Sequence, residues 1–143
     1  MFSKEESARL RQEFWTSFGK SFPRKWLLYH TKIKDLSLKF HADRKTAAVM
    51  IAIEMKDNDL RKTYFNKFLS LKKIFLKEIP GLIYEENFVL DSGKIISCIY
   101  LPINKKVSIH NKDSWVDIYD FFNINMDKLE KLFLEYKDFI KDI

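Results

Sequence analysis

TAAVMIAIEM, residues 46–55, alternates without a polar side. Val49, Ile51, Ile53 and Met55 fall on one face, and Ala48, Met50 and Ala52 on the other. Side chains of a strand alternate between faces, so a strand apolar on both must lie inside its sheet. The alanines mark where a neighbouring layer approaches closely.

Reading outward from this strand gives the rest of the layout. Upstream, Leu36, Leu38 and Phe40 alternate with Ser37, Lys39 and His41, a half-buried strand, and Ala42-Asp43-Arg44-Lys45 turns between the two. Downstream, Asp57-Asn58-Asp59 offers N-caps for a helix that runs to Pro80-Gly81. Its stripe is Leu60, Tyr64, Phe68, Leu71, Phe75 and Ile79, widened by Phe65, Leu69 and Leu76, and Arg61, Lys62, Lys73 and Lys77 take the remaining side. Leu82–Leu90 and Ile95–Leu101 are two more strands about the turn Asp91-Ser92-Gly93-Lys94, where glycine supplies a positive φ. Val107-Ser108-Ile109 is a candidate fifth strand.

Helices bracket these units. Ser3 and Glu6 have capping-box spacing, and Leu10, Phe14, Phe18 and Phe22 follow on one stripe, with Arg11 falling inside its arc, until Pro23. At the other end, Trp115, Ile118, Tyr119 and Phe122 begin a helical stripe, Asn123-Ile124-Asn125 is a candidate break, and Met126, Leu129, Phe133, Tyr136 and Ile140 continue it. Residues 24–35 fit no period and read as irregular. The order α-β-β-α-β-β-(β)-α predicts a single α+β domain over 1–143, with one antiparallel sheet of four to five strands and three main helices packed on it.

The totals agree with one domain. The chain has 143 residues, 46% hydrophobic and 32% charged, with Gly and Pro at 3 each, so long elements and short connections are favoured. A single cysteine, Cys98, excludes an internal disulfide. With no apolar leader and no membrane-length apolar run, the expected place is the cytoplasm, without a membrane partner. The net charge is +6, and it is uneven. Lys20, Arg24, Lys25, Lys32, Lys34, Lys39, Arg44 and Lys45 face only Asp35 and Asp43 over residues 20–45, whereas residues 113–143 are acidic.

The helix FWTSFGKSF (14–22), the strand AAVMIAIEM (47–55) followed by LRKTYFNKFLSLKKIF (60–75), LIYEENF (82–88) and the terminal amphipathic helix resemble the bacterial domain of unknown function family 4268. The resemblance covers nearly the whole chain. It implies a shared fold and an association with nucleic-acid processing or defence, since members stand alone or beside restriction-type nuclease domains. It implies no catalytic residue. Where the family often has Trp-Glu after the second helix, this chain has Tyr84-Glu85.

Two constellations carry possible chemistry. Glu54-Met55-Lys56 places an acid and a lysine at a strand end, as in restriction-type nucleases, where the carboxylate binds a metal and the lysine orients water. Asp43 would be the second acid and Glu13 a third; the alternative is a strand-end acid beside a helix-leading lysine. The second constellation mixes cations with rings: Lys20, Arg24, Lys25, Trp26, Tyr29, His30, Lys32 and Lys34. Phosphate contact with base stacking uses these residue types; so does a solvated surface with Trp26 and Tyr29 turned into the core. His30, His41 and His110 lack zinc spacing, and no metal or other cofactor is expected. Cys98 reads as a small core residue.

The leading expectation is a non-enzymatic binding or accessory domain acting on nucleic acid or protein. The alternatives are a metal-dependent nuclease using Glu54, Lys56 and Asp43, and an oligomerising protein whose C-terminal helix pairs with a second copy.

Overall fold

A computed structural model describes residues 2–143. Its elements are α1 (Lys4–Ser21), β1 (Leu36–Ala42), β2 (Ala47–Ile53), α2 (Asn58–Ser70), α3 (Lys72–Glu78), β3 (Ile83–Val89), β4 (Ile95–Pro102) and α4 (Trp115–Lys141), the last entered through a single 3₁₀ turn, Lys112–Ser114. The four strands form one antiparallel sheet in the order β1-β2-β4-β3. The α+β class and element order follow the sequence reading.

β2 is central, as its two apolar faces require. Leu38 pairs with Ile51, and Ile51 with Ile99, so one face of the sheet presents these residues together with Leu36, Val49 and Ile53. All four helices contribute to the core on that face, through Phe14, Phe18, Phe65, Phe68, Phe75, Phe122, Phe133 and their neighbours. A smaller cluster lies on the opposite face, where Ala52, Ile96 and Cys98 are covered by Met50, Phe88, Leu90 and Tyr100. A bulge between Glu85 and Phe88 interrupts the β3–β4 register beside this cluster.

The helix ends are set by the residues that the sequence marks. Ser3 Oγ accepts from Glu6 N at 3.1 Å, and Asp57 Oδ1 from Asp59 N and Leu60 N at 2.9 and 3.1 Å. Gly93 adopts φ 89° in the β3–β4 turn.

Four local expectations are corrected. The helix after β2 is two helices, because Leu71 leaves α-geometry at φ −96° and ψ 4° and its N–H donates back to Phe68 O at 3.1 Å. Arg61 is not on the open side: it is buried, and its Nη1 donates to Met55 O at 3.4 Å. Val107–Ile109 adds no fifth strand; Ile109 N donates to Asp43 O, and Val107 and Ile109 are buried as loop residues. Asn123–Asn125 do not break α4, where Asn125 Nδ2 donates to Phe121 O one turn back at 3.0 Å. Of the terminal stripe, Met126, Leu129, Phe133 and Ile140 are buried within the chain, with Leu132 beside them, while Tyr136 is half-buried. Among the described residues, no helix is long and apolar enough to cross a membrane.

Candidate nucleic-acid interface

Residues 22–35 join α1 to β1 without regular structure. Pro23 cannot continue α1, and the chain then runs beside β1, where Leu38 N donates to Leu28 O at 3.0 Å. Three non-glycine residues here hold positive φ: Leu28 at 43°, Lys32 at 66° and Asp35 at 64°. Each such residue costs on the order of 1–3 kcal/mol and persists only where its surroundings fix it.

The fixing contacts are specific. Arg24 Nη1 donates to Asp127 Oδ1 at 2.8 Å and Nη2 to Glu130 Oε1 at 2.6 Å. The second oxygen of Glu130 accepts from Leu27 N. Glu130 is 6% exposed, so this pair holds the loop on α4 from inside. At the far end Thr31 is fully buried; its hydroxyl donates to Leu36 O at 2.7 Å and accepts from Ile33 N at 3.2 Å.

The loop's side chains therefore divide. Arg24 turns toward α4 while staying exposed, and Trp26 is half-buried: the guanidinium carbon lies 3.8 Å from the Trp26 ring centroid, and that ring stacks on Phe18 and meets Phe40 edge-on. Lys25, Tyr29, His30, Lys32 and Lys34 face out, and none of the three lysines is in an ion pair among the described residues. Tyr29 is 71% exposed, so the ring free to stack is Tyr29, not Trp26. Glu130 is the anchor that sequence reasoning missed. Its signal was present: it sits four residues after Met126 and three before Phe133, on the apolar stripe.

The acids of the nuclease constellation are not brought together. Glu54 follows the last residue of β2, next to the start of β1; Asp43 lies in the turn at the other end of the same hairpin. With six residue steps from Ala47 to Ile53, the two ends are roughly 20 Å apart. Glu54 is held by Lys39 Nζ at 2.9 Å and Lys94 Nζ at 3.5 Å, while Lys56 is exposed. Burial pushes the Glu54 carboxyl up, but the hydrogen bond and charge of Lys39 and the charge of Lys94 outweigh it and hold it below the ordinary value of 4.5. Asp43 is likewise held low: burial raises it, and the Lys45 and Thr46 amides and His41 overcome that. Glu13 pairs with Lys112 at 2.8 Å. Among the described residues no three His, Cys, Asp or Glu side chains are grouped to hold a metal ion.

A family model, Domain of unknown function (DUF4268), matches residues 10–137. No curated protein and no solved structure matches the chain significantly.

Proposed function

Because the chain belongs to the DUF4268 family, whose function is unknown, membership supplies no reaction, and we propose from the site alone a non-enzymatic accessory domain that binds single-stranded nucleic acid. The contact is the loop 22–35. The observation that carries this reading is a segment with three positive-φ residues, anchored from inside, that presents an exposed ring, Tyr29, together with Lys25, Lys32 and Lys34, none of them in an ion pair among the described residues. Strained backbone held in place by buried anchors is common at ligand clamps. Cations that meet phosphates and an aromatic ring that meets a base are the two parts of sequence-tolerant single-strand binding.

The division of roles is specific. Lys25, Lys32 and Lys34 neutralise phosphates, Tyr29 stacks on a base, and Arg24 with Trp26 shapes the loop. Stacking contributes about 1–3 kcal/mol per base, so Tyr29→Ala weakens binding of a labelled single-stranded oligonucleotide about tenfold with the melting temperature unchanged. Wild-type affinity in a folded Tyr29→Ala variant overturns this assignment.

A further inference from the structure

We infer a separate phosphate-binding site in the cleft where the first turns of α1 meet the β1–β2 turn. The cleft has a volume of about 630 Å³ and is lined by Lys4 and Arg11 from α1, Arg44 and Lys45 from the turn, and His110. Ile109 N donates to Asp43 O at 3.0 Å, which draws the third chain segment against the turn. None of the four cations is in an ion pair among the described residues. Arg11, which sequence placed in the apolar arc of α1, is exposed here and has no carboxylate partner.

The charge balance selects the ligand class. Four cations face two carboxylates, Asp43 and Asp91, leaving two positive charges. Asp43 is already occupied by the Lys45 and Thr46 amides and by His41, so it neither pairs with the guanidinium groups nor is free to take a cation. The α1 N-terminus does not make the site, because Ser3 caps Glu6 N. His110 lines the cleft half-buried, and its Nε2 is shielded from water, so the ring is a wall of the site and the cations are its ligands. Guanidinium and ammonium groups that line one cleft without ion-pair partners among the described residues suit an oxygen-rich anion. The phosphate of a mononucleotide carries close to two negative charges at neutral pH, as a phosphorylated side chain does; a nucleic-acid phosphate offers the same oxygens.

This site does not depend on the loop 22–35, and the experiment separates the two. The full chain is titrated with adenosine 5′-monophosphate, adenosine and a short single-stranded oligonucleotide, as wild type, as Arg11→Gln with Arg44→Gln, and as Lys25, Lys32 and Lys34 changed together to Ala. Charge-assisted hydrogen bonds set the scale, so removing the two arginines weakens a phosphate ligand about tenfold or more while the loop variant leaves the mononucleotide unaffected. Mononucleotide binding that adenosine does not reproduce identifies a small phosphoester as the source. Loss of oligonucleotide affinity alone in the arginine variant identifies backbone phosphate. A folded arginine variant that binds both ligands as wild type does, or a wild type that binds neither at low salt, overturns the site. Lys45→Gln, remote from the helix, repeats the test should the double variant fail to fold.

Discussion

A carboxylate on the apolar side of a helix is stable only if its lone pairs are met, and Glu130 meets its own with Arg24 and the Leu27 amide. Removing it strands the Leu27 amide and leaves Arg24 with Asp127 alone. Glu130→Ala therefore lowers stability by about 2 kcal/mol, roughly 6 °C in melting temperature at this length. Asp127 shares Arg24 but is more exposed, so Asp127→Ala stays within about 1 kcal/mol. Equal losses in thermal melts would show that the loop is not anchored as described. Cys98 offers a second residue-scale check. Burial, with the nearby Glu85 charge, pushes its thiol up to about 12. In native buffer it reacts with a thiol reagent only on unfolding; rapid stoichiometric labelling of folded protein would contradict its placement. Its role as a core residue was readable from alternation alone. The anchoring role of Glu130 required its partner, which lies more than a hundred residues away.

Periodicity identifies which residues an element buries better than where the element bends. Leu71, Phe75 and Ile79 stay in step across the junction of α2 and α3, so the break at Leu71 left no mark in the pattern. Asn123 and Asn125 looked like a break for the opposite reason: polar residues disfavour helix interiors, yet Asn125 bonds the turn before it and α4 runs through. Val107 and Ile109 are apolar because they cover the core from a loop that bonds the β1–β2 turn. The apolar stripe of α4 was legible except that Tyr136 is half-buried, and it yields a contrast. Phe133 is completely buried, so Phe133→Ala costs about 3–5 kcal/mol. Phe139 is 44% exposed beneath Lys67, so Phe139→Ala costs about 1 kcal/mol or less. Denaturant melts compare them directly, and similar midpoints would mean that α4 packs on a different face.

For the whole molecule, charge placement decides acid stability and underlies the proposed binding. Glu54 and Asp43 titrate below their ordinary values of 4.5 and 3.8. A carboxylate held low in the folded state stabilises it above the unfolded value, and that contribution is lost as pH falls through the folded one. Stability therefore declines below about pH 4, and Glu54→Gln flattens the decline; an unchanged acid slope in that variant would remove Glu54 from the account. The basic run of residues 20–45 was legible as composition, but its division was not. Folding consumes Arg24 at Glu130 and Lys39 at Glu54, places Arg44 and Lys45 at the hairpin turn, and leaves Lys25, Lys32 and Lys34 exposed on the same loop as Tyr29. The central claim is that these three lysines bind a single strand through its phosphates. The most direct measurement is the salt dependence of oligonucleotide affinity for wild type and for the variant with Lys25, Lys32 and Lys34 changed to Ala. Each lost phosphate contact reduces the logarithmic slope by about 0.7, so the variant's slope is shallower by about 2 with its fold intact. An identical slope in the two proteins, or no wild-type binding even at low salt, would contradict the claim.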